Sequence, residues 1–308
     1  MKINRSDDAP APPSARVAAS ENNPTGTTNA RRRLAAFALV VFAAAFGVRL
    51  ATWSETRGEV GKVQTTVTAG YQRDARYLLD GGIGSFFSPS SPLANPDSLG
   101  HPPGYPVLLA LVFKLFGESD AALQLFQIFC DALSCVLLFL VVAELLNLQT
   151  GLVAGLLAAV SPQLAWNSVL LLPDSLAVLP ILCAVYLIAR AATDGRESTN
   201  ARTGASTAKS MTAARVRAAA RRSNLISMFL AGALVGVSCW LRANALLLAP
   251  ALAVFVFFLS ARVSRLRRAA SLLAGALVVV GVLTVRNAVV FRAFVPVSLG
   301  AGQTLLEG

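Results

Sequence analysis

Apolar residues in this chain fall in long runs rather than in alternation. Seven such runs, at 34–53, 121–146, 152–165, 175–190, 225–241, 245–260 and 272–285, consist largely of Leu, Val, Ala, Ile and Phe. A helix takes roughly 20 apolar residues to cross a hydrocarbon core, so each run approaches or reaches spanning length. The pattern predicts an all-α fold, a polytopic membrane helix bundle of about seven spans. Two shorter elements are expected in the long polar stretch after the first run. Residues 107–116 are apolar but too short to span, and predict a juxtamembrane helix at the interface. Residues 75–80 predict a short helix stopped by Gly81-Gly82.

The run 121–146 carries a polar stripe. Gln124, Gln127, Asp131 and Ser134 recur at spacings of three, four and three, which is one helical face. Polar groups are costly in lipid, so this face is expected to point into the bundle, for interhelical hydrogen bonding or for a role of Asp131 in function.

Polar segments divide the rest. Residues 1–33 are rich in Ala, Pro, Ser, Asn and Thr and end in Arg31-Arg32-Arg33; they predict a disordered cytoplasmic tail. The leader is long and no small-residue cleavage site follows the first run, which favours an uncleaved anchor over a signal peptide. The bundle is expected over 34–285, with an outer loop at 54–120 and a cytoplasmic loop at 193–223. Residues 286–308 form a final outer segment. Within 193–223, residues 212–222 predict a basic, Ala-rich helix suited to an anionic membrane surface.

Composition sharpens this. With 308 residues, 55% hydrophobic and 14% charged, the chain is no ordinary soluble domain. Its net charge of +11 does not point to nucleic acid, because the arginines flank apolar runs and no basic patch interleaves with aromatics. With the N-terminus inside, eighteen of the 27 Lys and Arg fall on the inner side. The outer side then holds nine basic and nine acidic residues, as the positive-inside rule asks. The four cysteines form no CxxC pair, so neither a metal knuckle nor a redox motif is indicated.

The candidate chemistry lies in the outer segments. Asp97 to Pro106 is a rigid polar corner holding the chain's single histidine, His101, three prolines, two glycines and Tyr105. Asp74, Asp80, Asp97 and Asp174 are expected to converge at the outer ends of different spans, with His101 and Arg242. A carboxylate near an interface serves as general base on an acceptor hydroxyl, and an arginine binds phosphate bidentately. Asp74, Asp97 and His101 are therefore the catalytic candidates; Tyr71, Asp80, Tyr105, Asp174 and Arg242 are the substrate-binding ones. Each has a blander reading: Asp74 and Asp80 as solvated charges, Asp97 as a turn former, His101 as a satisfied loop histidine. Asp174 then caps the next span, and Arg242 and Arg49 are interfacial snorkellers. No Walker loop, GxGxxG or HExxH occurs. No metal-ligand spacing appears and no cofactor is indicated, although a divalent metal is compatible with so many outer carboxylates.

Ala75-Arg76-Tyr77-Leu78-Leu79-Asp80-Gly81 and His101-Pro102-Pro103-Gly104-Tyr105-Pro106 resemble segments of bacterial family 39 glycosyltransferases of the GT-C class, relatives of protein O-mannosyltransferases and of lipid A aminoarabinose transferase. The resemblance continues through the 154–162 run ending Ser161-Pro162, Leu170-Leu171-Leu172-Pro173-Asp174, Leu241-Arg242-Ala243-Asn244, and Arg286-Asn287 followed by Phe294-Val295-Pro296-Val297-Ser298. It implies a GT-C bundle in a bacterial inner membrane that moves a sugar from a polyprenyl-phosphate donor to a lipid or protein acceptor on the outer face. It also places the family's usual acid at Val67. The base then falls to Asp74 or Asp97, or the chain is an inactive member. Family members usually continue through further spans, so an N-terminal fragment is expected. A transporter or flippase of a lipid-linked substrate is the alternative, motivated by the polar stripe at 121–146.

Overall fold

The computed structural model describes residues 24–63, 65–204, 210–260 and 264–300; among these, the side chains of 24–27, 60–63, 65–66, 97, 194–204 and 210–222 lie outside the description. The chain divides into two compact units, Met1–Phe37 and Ala38–Gly308. The described part of the first is the opening of helix α1, and the architecture below is that of the second.

Among the described residues every regular element is a helix: α1 (Pro24–Val63), α2 (Thr65–Phe86), α3 (Gly104–Phe116), α4 (Asp120–Leu145), α5 (Leu148–Val160), α6 (Pro162–Val169), α7 (Asp174–Gly204), α8 (Ser210–Leu241), α9 (Leu248–Leu259) and α10 (Arg265–Phe291), with 3₁₀ turns at Pro92–Ala94, Pro96–Gly100 and Ala243–Leu247. The all-α expectation holds. α1 begins at Pro24, inside the stretch expected as tail; proline fits a first helical position, and Ala30 to Ala36 are strong helix formers. Residues 1–23 lie outside the described residues.

Among the described residues five helical segments are long and apolar enough to cross a membrane: Thr28–Glu59, Asp120–Leu145, Asp174–Thr193, Ser223–Leu241 and Arg265–Phe291. The run expected as one span at 152–165 is broken. α5 and α6 meet at an angle of 55°, because Pro162 cannot donate into the preceding helix. The run expected at 245–260 is covered by the shorter apolar helix Ala243–Leu259, whose first turns are 3₁₀ and whose α-helical part has Pro250 in its first turn. So the seven expected spans resolve into five, one broken pair and one shorter apolar helix.

The caps explain several boundaries. Ser119 accepts a hydrogen bond from the Ala122 N–H and Asp120 sits in the first turn of α4, where a negative charge meets the positive end of the helix dipole. Asn147 caps α5 through the Thr150 N–H at 2.9 Å. α2 is longer than the short helix expected at 75–80, and its regular part breaks at Gly82, whose φ of 64° is open to glycine and strained for other residues. α10 runs through Phe291, beyond the expected end at 285, and carries Arg286 and Asn287 inside the fold.

Packing follows the stripes. α8 and α10 are in backbone contact: a Cβ on Gly232 would collide with the Leu272 carbonyl oxygen, and one on Gly275 with that of Phe229. The stripe on α4 is buried as expected. Asp131 forms an ion pair with Arg49, which is fully buried rather than snorkelling. The Arg49 guanidinium also donates to the carbonyls of Ala45 (3.1 Å) and Ala159 (3.0 Å) and to Cys135 Sγ (3.3 Å). A lone charge inside an apolar bundle costs several kcal/mol, so pairing replaces exposure. The cluster thereby ties together α1, α4 and α5.

Candidate active site

On α2, residues 71, 74 and 78 share one face by helical spacing. That face looks onto a cavity of about 370 Å³ whose wall includes Tyr71, Asp74, His101, Pro102 and Arg286, with Val67, Leu78, Phe86 and Leu93 as its apolar part. Four parts of the chain meet here: α2, the 3₁₀ turn Pro92–Ala94, the Pro-rich corner leading into α3, and the end of α10.

The corner is fixed by close packing. Gly104 opens α3 against the end of α8, where a Cβ would collide with the Trp240 carbonyl oxygen. Tyr105 is fully buried one layer behind the cavity, its ring 5.0 Å from Tyr71 and edge-on to it, and its hydroxyl donates to Gln127 Oε1 at 2.8 Å. Tyr71 in turn lies 5.6 Å from the His101 imidazole. The Leu299 N–H donates to the Leu99 carbonyl at 2.8 Å, so the stretch after α10 is bound to the same corner.

The carboxyl of Asp74 is raised above its ordinary range, because burial penalises its charge; the Arg73 guanidinium, 3.3 Å away, and more weakly Arg286, oppose this. Tyr71 is pushed up to about 12, by burial first; Arg242 opposes the rise, and Asp174 and Asp74 reinforce it.

The sequence-expected residues separate into groups. Tyr71, Asp74 and His101 line the cavity, and Tyr105 backs it. Asp174 and Arg242 lie off its wall and form an ion pair with each other, close enough for their charges to act on Tyr71. Asp80 is exposed and faces a different, open hollow of about 610 Å³ with Tyr77 and Ser88. Asp97 belongs to the turn Pro96–Gly100, and its side chain lies outside the described residues. Val67, where the resemblance puts the family's acid, is on the cavity wall. Among the described residues no three His, Cys, Asp or Glu side chains gather as a metal site would need.

Arg286 is the residue that reading the sequence missed as a site group. It is 3% exposed and makes no ion pair among the described residues. Its Nε donates to the Phe86 carbonyl (3.1 Å), Nη2 to the Leu93 carbonyl (3.0 Å) and Nη1 to Asn287 Oδ1 (3.1 Å). The guanidinium also stacks 4.9 Å from the rings of both Phe86 and Phe291. A guanidinium has five N–H donors, so two remain. The signal was a cation within a helical turn of an apolar run, followed by the Phe294 to Ser298 return. Asn287 holds that return by donating to the Val295 (2.9 Å) and Val297 (3.1 Å) carbonyls.

No curated protein and no solved structure matches the chain. The family model for dolichyl-phosphate-mannose-protein mannosyltransferases matches residues 100–212, which begin at the Pro-rich corner and run through the α4 stripe and Asp174. With its several apolar helices the chain is an integral, multi-pass membrane protein. The motif resemblance and the match agree: residues 100–212 are similar to this family of membrane glycosyltransferases, which supports the GT-C, family 39-like class.

Proposed function

We propose that this protein transfers a sugar from a polyprenyl-phosphate-linked donor to a lipid or protein acceptor, on the outer face of a bacterial inner membrane with the N-terminus cytoplasmic. The observation that carries the reading is one cavity walled by both Asp74, a partly desolvated carboxylate, and Arg286, a buried cation without an ionic partner among the described residues. Arg286 would take the donor phosphate through its two remaining N–H groups, a charge-assisted contact that strengthens as the phosphate leaves. Asp74 would accept the proton of the acceptor hydroxyl while its oxygen bonds to the anomeric carbon and the bond to the phosphate oxygen breaks. The apolar residues Val67, Leu78, Phe86 and Leu93 suit the start of a prenyl chain. The phosphate role moves from Arg242 to Arg286 in this reading, because Arg242 already neutralises Asp174. A divalent cation belongs to it only as a phosphate-bound ion, since Asp74 is the one carboxylate among the described residues on the cavity wall.

The flippase alternative drew on the α4 stripe. The stripe is engaged in packing: Asp131 on Arg49, Gln124 on Trp53 and the Val169 carbonyl, Gln127 on Tyr105, Ser134 on its own helix. The test is reconstitution of the full chain in liposomes with a polyprenyl-phosphate sugar and radiolabelled acceptor lipid. Transfer that is lost in Asp74→Asn and Arg286→Gln supports the reading; donor flux across the bilayer without covalent transfer replaces it with the flippase.

A further inference from the structure

The side chain of Gln127 is fully buried on α4 and serves two neighbours at once. Its Oε1 accepts from the Tyr105 hydroxyl at 2.8 Å, and its Nε2 donates to the Leu170 carbonyl at 2.7 Å and lies 3.4 Å from that of Leu172. The second partner is unusual. Residues 170–173 form the irregular link between α6 and α7, where the Leu170 carbonyl also receives the Leu172 N–H at 2.8 Å and the Pro173 carbonyl the Ala177 N–H at 2.9 Å. The next residue, Asp174, opens α7 and pairs with Arg242. The first partner begins the aromatic chain that ends at the cavity: Tyr105 packs on Tyr71 and Tyr71 on His101.

We propose that Gln127 is a positioning residue of the candidate active site, its one amide fixing both the aromatic wall through Tyr105 and the Asp174–Arg242 pair through the 170–172 link. Gln124, one turn earlier, does not reach the cavity side: it accepts from Trp53 Nε1 at 2.8 Å and donates to the Val169 carbonyl at 3.0 Å. Gln127 hydrogen-bonds the side chain whose ring packs edge-on against Tyr71 of the cavity wall. Replacing its amide strands the Tyr105 hydroxyl in a dry site and removes the side-chain donor that ties the Leu170 and Leu172 carbonyls to α4, so Tyr71 and His101 lose their fixed register.

The binding arm of the test rests on the phosphate-donor reading, and the other arm does not. His101 is the chain's single histidine, so one ¹³C-labelled imidazole resonance in the purified, detergent-solubilised full chain reports on the cavity wall. Gln127→Met and Tyr105→Phe are expected to shift that resonance in the same direction, with Gln127→Met/Tyr105→Phe no further displaced than Gln127→Met. Ser134→Ala, whose hydroxyl bonds only within its own helix, leaves it in place. In parallel, dodecyl phosphate is titrated: Tyr105→Phe is expected to weaken its binding about fivefold, the size of one neutral hydrogen bond, and Gln127→Met more. A merely structural role lowers the melting temperature while the resonance and the Kd of the folded protein stay put, and that result overturns the proposal. If Gln127→Met does not fold, Tyr105→Phe decides: an unmoved resonance overturns it and a shifted one supports it. Wild-type protein that binds no dodecyl phosphate defeats the donor reading and leaves the resonance to decide the role of Gln127.

Discussion

Asp74 and Arg286 share the wall of one cavity without forming an ion pair. Asp74 spends its short contact on Arg73, and Arg286 spends three N–H groups on carbonyl and amide oxygens. The arrangement keeps a cation and a base in one desolvated space, with neither cancelling the other.

The first consequence is a pH dependence with a defined sign. Because burial raises the Asp74 carboxyl, it becomes a base only above the ordinary carboxylate range, and transfer should rise with pH through that raised value. Arg286 pulls the value down, so Arg286→Gln should move the acidic limb of any residual activity to higher pH. A limb that stays in place would show that another group is the base.

Stability should show the reverse trend at the same residue. In the folded state Asp74 holds its proton to higher pH than in the unfolded chain, so the fold binds more protons between the two values and loses stability as pH rises through that window. Asp74→Asn removes the cost. It should be inactive yet melt at a higher temperature than wild type at neutral pH, measured by thermal unfolding in detergent at pH 4 and 7, with little difference at the lower pH.

Arg286→Lys separates geometry from charge. Lysine keeps the charge but not the planar fork that serves Phe86, Leu93 and Asn287 together. Affinity for an alkyl phosphate should fall by about 10- to 100-fold, the scale of losing a charged hydrogen bond or two. Wild-type affinity in Arg286→Lys would show that a bare point charge suffices.

The Arg49–Asp131 pair should behave as a buried clasp. Asp131→Asn leaves Arg49 uncompensated among α1, α4 and α5 and should cost ~3–5 kcal/mol, whereas Arg49→Met combined with Asp131→Leu should recover most of it. Denaturant titration of the two variants checks this. Equal losses in both would mean that the carbonyl and Cys135 contacts of Arg49, and not its charge pairing, hold the three helices.

Gly104→Ala tests the docking of the Pro-rich corner. The added methyl meets the Trp240 backbone, and Trp240 stacks 6.0 Å from Phe86, which itself lies beneath Arg286. The substitution should destabilise by about 1–3 kcal/mol as overpacking does and weaken phosphate binding. Unchanged binding would place the corner outside the site.

The sequence by itself determined the solvent of this protein and the inward face of α4. Long apolar runs specify membrane helices, and the three-four-three spacing of Gln124, Gln127, Asp131 and Ser134 specifies a face turned inward. It also named Tyr71, Asp74 and His101, which share one cavity wall, because a rigid Pro/Gly corner and a carboxylate in the polar stretch before it are local signals. Periodicity, however, reports which side of one helix is buried and never which helix it meets. The tertiary structure decided the partners: Arg49 with Asp131, Arg242 with Asp174, Tyr105 with Gln127. It also decided that α10 runs past its apolar stretch and delivers Arg286 to a cavity walled by α2 and the corner before α3. A charge at the end of an apolar run reads as an interfacial anchor until the chain that folds over it is known, and here Phe86, Leu93 and Phe291 hold it.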